Sequence, residues 1–164
     1  MESRKIIQVI NNYLPKDKFE YIKNIFFNSE NNFPWFFNDF VANEKDKSDF
    51  YFSHTLYDQN TIFSPFFEKI VPILNQQKLY RAKCNLYTKK QEKIYTKYHI
   101  DSPYPHMVML YNLNTNNGFT SFEDGTEISS KENQVILFNG EIKHRSVAQT
   151  DERVRININI NYGI

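Results

Sequence analysis

His99, Asp101 and His144 are residues of the right types to hold one divalent cation. In the run Tyr98-His99-Ile100-Asp101, an extended backbone puts His99 and Asp101 on the same side, with Cα atoms roughly 6.5 Å apart. Two imidazoles and one carboxylate suit Fe(II). They occupy one face of an octahedron and leave three positions open for chemistry. His-x-Asp alone is a common pattern in a chain with four histidines, so the weight falls on context. His144 follows an apolar run at 134–138 and the turn Asn139-Gly140, where a side chain can project from the end of a strand. Arg153 and Arg155 come after it, and an arginine fork there could grip a carboxylate with two parallel hydrogen bonds.

The elements that must position these residues are legible in the second half of the chain. Residues 153–162 alternate strictly, with Val154, Ile156, Ile158, Ile160 and Tyr162 on one face. Arg153, Arg155, Asn157, Asn159 and Asn161 occupy the other, which predicts a strand with one dry face and one face walling a hydrophilic cavity. From Leu79 onward, short runs are cut by Asn116-Asn117-Gly118, Asp124-Gly125 and Asn139-Gly140, the dipeptides of hairpin turns. Many short strands with turns predict a sandwich or barrel.

The first half reads differently. A short strand is predicted at 6–10, then a helix opened near Pro15 with Phe19, Ile22, Ile25 and Phe26 at helical spacing. A second helix is predicted from Ser64 as N-cap and Pro65, through Phe67, Ile70, Val71 and Leu74, with Pro72 kinking or shortening it. Residues 31–49, including the tract NEKDKSD, lack periodicity and read as a solvated loop.

Composition excludes several classes. The 164 residues fit one domain, and neither repeats nor linkers divide them. Lys+Arg (20) and Asp+Glu (19) nearly cancel, so no overall field draws the chain to nucleic acid or an anionic membrane. The one cysteine, Cys84, cannot form an internal disulfide and reads as a buried thiol in a reducing interior. The N-terminus is too short and mixed for a signal peptide, and no apolar run approaches the ~20 residues of a membrane span. A cytoplasmic protein is expected. The 15 Phe and 11 Tyr are read chiefly as core.

From residue 79 to the end, the chain resembles the 2-oxoglutarate/Fe(II) oxygenase superfamily in its prolyl-4-hydroxylase-like branch, and is especially similar to the short oxygenases of many bacteriophages. The resemblance lies in NLY at 85–87, YHID at 98–101, LNTNNGFTSFEDGT at 113–126, KHRS at 143–146 and TDERVRINININ at 150–161. It implies a double-stranded β-helix (a jelly roll, cupin-like), with a helical support over 1–80 and a catalytic β core over 81–164. It implies metal ligation by His99, Asp101 and His144. The basic residue that holds the distal carboxylate of 2-oxoglutarate falls on Arg155, with Arg153 as the alternative. A co-substrate tyrosine falls on Tyr87. Where several prolyl hydroxylases carry a second tyrosine, just before a Leu-Asn pair, this chain has Asn112.

The resemblance also implies Fe(II), 2-oxoglutarate and O2, with ascorbate as an accessory reductant, and hydroxylation of a peptide, protein or small molecule. A prolyl residue is the substrate it suggests, and the host cytoplasm is the location if the source is a phage. Asn85, Asn157, Asn159 and Asn161 read either as ligand contacts, Asn85 and Asn157 towards the co-substrate, or as hydrogen-bonding fillers of the wall. His54 and His106 lack the context of ligands and read as packing residues. Two other readings compete: a zinc hydrolase on the same ligands, and a non-catalytic β-sandwich that binds sugar or peptide. The arginines could instead pair with Glu123, Asp124 or Asp151.

Overall fold

The computed structural model describes residues 6–41, 45 and 47–163. The first five residues of the N-terminal stretch and positions 43, 44 and 46 of the charged tract lie outside the described residues.

Among the described residues the chain forms eleven strands, two α-helices and one short 3-10 turn (Ser29–Asn31). Strand β1 (Ile7–Ile10) and helix α1 (Lys16–Phe27) come first. Strands β2 (Phe36–Asn38), β3 (Tyr51–Asp58) and β4 (Thr61–Ile62) then precede helix α2 (Phe67–Leu74). The remainder is β: β5 (Leu79–Thr88), β6 (Met107–Asn112), β7 (Phe119–Phe122), β8 (Glu127–Ser129), β9 (Gln134–Asn139), β10 (His144–Val147) and β11 (Val154–Tyr162).

Among the described residues all strand pairs are antiparallel, in two sheets. The larger runs β1-β9-β6-β11-β5-β3-β2, with β4 on β3, and the smaller runs β10-β7-β8. The segment before Asp101 joins β10 through bridges Tyr95 to Val147 and His99 to His144. Phe122 of the small sheet meets Phe138 of the large one edge to face at 5.1 Å, so the sheets pack face to face as a double-stranded β-helix.

The large sheet separates two environments. On its outer face, Ile156, Ile158 and Ile160 join Ala82, Cys84, Met109 and Tyr111 beneath Ile22, Ile25, Ile70 and Leu74 of the helices. Each of the buried Ile, Leu and Met side chains among these contributes roughly 1.5–3 kcal/mol by leaving water. On its inner face, Val108, Leu110, Ile136 and Phe138 meet Phe122 and Ile142 at one end. The other end is polar and holds the site.

The helical spacing of Phe19, Ile22 and Ile25 corresponds to the buried face of α1. Helix α2 begins two residues later than its sequence signals predict. Ser64 Oγ accepts from Phe66 N at 3.2 Å, capping a turn that precedes the helix, and Pro72 lies within only eight helical residues. The first half is not only a helical support, because it supplies β1, β2, β3 and β4 to the large sheet. No helix among the described residues is long and apolar enough to cross a membrane.

Candidate metal centre and anion cavity

The bridge between His99 and His144 fixes the geometry of the candidate metal site. Their backbones exchange hydrogen bonds of 3.0 Å in each direction, which sets the two imidazoles side by side with ring centroids 4.6 Å apart. Their Nε2 atoms lie 3.7 and 3.8 Å from Asp101 Oδ1, and the donor atoms of all three residues fall within 4.8 Å of one another. Donors about 2.0–2.2 Å from a common cation lie at most about 4.4 Å apart, so these two separations fit a shared ion.

The tautomers fit as well. His99 Nδ1 faces Lys97 O at 3.3 Å and His144 Nδ1 faces Ile142 O at 3.2 Å. An Nδ1–H donated to a carbonyl leaves the Nε2 lone pair free for metal. Burial pushes the His144 imidazole below its ordinary value, against the pull of Asp101, and so favours the neutral, ligating form. Burial alone would raise the Asp101 carboxyl. Electrostatic attraction to the His144 imidazole and the Arg81 guanidinium, with the amides of Asn161 and Asn159, outweighs it and holds the carboxyl well below the usual carboxylate range.

Those amides explain the asparagine repeat. Asn159 Nδ2 and Asn161 Nδ2 both donate to Asp101 Oδ2, at 2.8 and 3.0 Å. That oxygen is thereby occupied, while Oδ1 faces the two histidines and Arg81 Nη2 at 3.5 Å.

Arg155 lies in the same cavity and is almost completely buried. Its Nη1 donates to Ser146 Oγ at 3.0 Å and Val147 O at 3.1 Å, and its Nη2 reaches Thr120 Oγ1 at 3.5 Å. Its Nε has no partner, and no carboxylate among the described residues pairs with it, Glu123, Asp124 and Asp151 included. An unpaired buried guanidinium costs several kcal/mol unless an anion joins it. Tyr87 lies beside it, with Arg155 Cζ 5.5 Å from the ring centroid. Burial raises the Tyr87 phenol well above its ordinary value, so it stays protonated.

The other candidates divide. Asn85 and Asn157 line the cavity, with Asn85 Nδ2 donating to Asn157 Oδ1 at 2.9 Å and Asn85 Oδ1 unpartnered. Asn112 sits opposite Asn157 in the sheet but turns its amide to Gln134 Oε1 at 3.0 Å, outside the cavity lining. Arg153 is a correction to the alternation. The chain bends at 151–153, β11 starts at Val154, and Arg153 lies exposed in a separate surface cleft with Lys23 and Glu132. His54 Nδ1 lies 2.8 Å from Pro34 O with its ring among Phe33, Phe36 and Phe66, and His106 Nδ1 lies 2.6 Å from Tyr104 O. Both serve packing.

Sequence reasoning missed Arg81, Lys83, Tyr51, Thr120 and Ser146, which the fold brings around the site. Arg81 and Lys83 share a β5 face with Asn85 and Tyr87, so period two would have found them. Thr120 and Ser146 arrive from other strands and carry no local signal.

The chain has the fold of the 2-oxoglutarate/Fe(II) oxygenases, prolyl-4-hydroxylase-like members included. An oxidoreductase of the 2OG-Fe(II) oxygenase family from Burkholderia pseudomallei superposes with a TM-score of 0.72 at 12% identity, covering 98% of this chain and 86% of that one. The viral collagen prolyl hydroxylase vCPH from Paramecium bursaria Chlorella virus-1, solved with 2-oxoglutarate, gives 0.59 at 12% identity, covering 98% of each chain. HygX from Streptomyces hygroscopicus, solved with nickel, 2-oxoglutarate and hygromycin B, gives 0.61 at 12%, covering 97% of this chain and 83% of that one. Neither a family model nor a curated protein matches the sequence.

Proposed function

We propose that the chain is a non-haem Fe(II) dioxygenase that takes 2-oxoglutarate, O2 and a prime substrate to succinate, CO2 and a hydroxylated product. The observation that carries this reading is a buried guanidinium without a counter-ion, Arg155, in one cavity with the triad of His99, Asp101 and His144. In this reading the triad holds Fe(II), which supplies the activation of O2. Arg155, with the hydroxyls of Thr120 and Ser146, receives the distal carboxylate of 2-oxoglutarate, and Tyr87 flanks it. The carbonyls of Lys97 and Ile142 keep both imidazoles in the ligating tautomer. A zinc hydrolase on the same ligands leaves Arg155 without a task.

Succinate release from 2-oxoglutarate with added Fe(II), under air and under argon, tests the reading. Succinate is expected only under air, and its failure to form there rules the oxygenase out. Asp101→Ala removes both metal binding and turnover; retained Co(II) affinity in that variant sinks the triad. Arg155→Ala raises the KM for 2-oxoglutarate by about tenfold or more.

A further inference from the structure

Strand β5 adds positive charge to the metal cavity beyond what the co-substrate can neutralise. Its inner face carries Arg81, Lys83, Asn85 and Tyr87, because Ala82 and Cys84 point into the helix-side core. Lys83 pairs in register with Asn159, whose amide holds Asp101, so it stands beside the metal ligand. Its Nζ donates to Tyr51 OH at 2.9 Å, and no carboxylate among the described residues pairs with it. Arg81 Nε is buried without a partner.

A divalent cation, the Asp101 carboxylate, a bound dicarboxylate and the Arg155 guanidinium balance one another. The charge of Lys83 remains, with those of Arg81 at the edge beside Asp101 and of Arg145, which stacks over the Tyr98 ring, and Asp101 is the one carboxylate lining the cavity. Of the residues that line it, only Val41 and Leu110 are aliphatic, so an uncharged hydrocarbon ring meets little apolar wall. A second, larger cavity of about 1020 Å³ adjoins the far side of Asp101 and Asn161, lined by Lys78, Tyr80, Arg81 and Tyr104. It gives a substrate room to approach past Arg81.

We propose that Lys83, flanked by Arg81, binds a carboxylate of the prime substrate beside the metal. This rests on the oxygenase reading, and it replaces an apolar prolyl ring with an acid as the group recognised. The carboxylate comes either from a free acid or from an acidic side chain of a peptide.

The test is calorimetric. Co(II)-loaded protein with saturating 2-oxoglutarate is titrated under argon with three sets of probes: the free amino acids, the N-acetyl amides of aspartate and glutamate, and N-acetyl prolinamide. At least one carboxylate probe is expected to bind, and N-acetyl prolinamide is not. Lys83→Met weakens that probe about tenfold or more, the worth of a charge-assisted hydrogen bond. Lys83→Gln, which keeps a donor for Tyr51 but no charge, weakens it likewise, and Lys83→Arg retains binding. A response confined to the first set assigns a free acid; one that includes the second assigns an acidic side chain. Binding of N-acetyl prolinamide that ignores Lys83, or no carboxylate probe binding in a Lys83-dependent way, overturns the proposal. Equal weakening of 2-oxoglutarate also overturns it, because Lys83 would then be a co-substrate contact. A failed oxygenase reading shows separately, as Fe(II) protein that makes no O2-dependent succinate, since the titration reads binding alone.

Discussion

Asp101 is the residue on which the site's order depends. Two amides on one oxygen leave the other to face the histidines, so Asn159 and Asn161 position the Asp101 carboxylate for the proposed metal. Removing partners of this kind typically costs 10–100-fold in metal affinity. Asn159→Ala and Asn161→Ala are each expected to weaken Co(II) binding by about that range in a direct metal titration. Unchanged affinity in both variants would reduce the repeat to wall filling. His54 carries a different prediction at this scale. Burial lowers its folded pKa below 6.5 despite the Pro34 carbonyl. Between that lowered value and 6.5, the unfolded chain holds a proton that the folded chain lacks, so stability rises with pH across this window and falls on acidification. His54→Gln removes that contribution. The difference in urea midpoint between wild type and variant should therefore change between pH 7 and pH 5, and a constant difference refutes it.

At the scale of elements, two loops meet at Gly140. Its N–H donates to His106 O at 2.8 Å, and a Cβ there would sit 2.1 Å from the buried His106 ring. This contact ties the turn before His144 to the loop after Asp101, so Gly140→Ala is expected to cost about 1–3 kcal/mol of stability and to weaken metal binding with it. A chemical denaturation curve superimposable on wild type would show the loops to be independent. Legibility follows the same physics. Strand β11 could be read because its two faces meet different surroundings, isoleucines against helices and asparagines against the cavity. The alternation misled only at Arg153, where the chain bends before the strand begins. Residues 31–63 resisted reading because β3 carries Tyr51, Ser53, His54 and Leu56 buried on both faces, which erases the period of two. The triad could be found because two of its members share one strand-like run. The Thr120 and Ser146 contacts to Arg155 depend on how β7 and β10 fold across β11, which no local pattern encodes.

At the scale of the whole molecule, the polar end of the inter-sheet space opposes the fold that encloses it. Arg155 is buried without a counter-ion, and Lys83 and Arg81 add charge nearby. Ligands that neutralise this interior bind only the folded chain, where the strands converge, and so stabilise it by mass action. At one hundred times its dissociation constant, a ligand adds about 2.7 kcal/mol. For a chain of this size, that corresponds to a rise of roughly 5–10 °C in Tm. Co(II) followed by 2-oxoglutarate under argon is expected to raise Tm in two steps, and a chelator reverses both, because chelation of the co-substrate needs the metal. Asp101→Ala loses the first step and most of the second, whereas Arg155→Ala keeps the first and loses the second. A full 2-oxoglutarate step in Asp101→Ala would mean that the diacid binds through arginine and lysine alone. The metal and the anion cavity would then be two independent sites that the sheets merely enclose together.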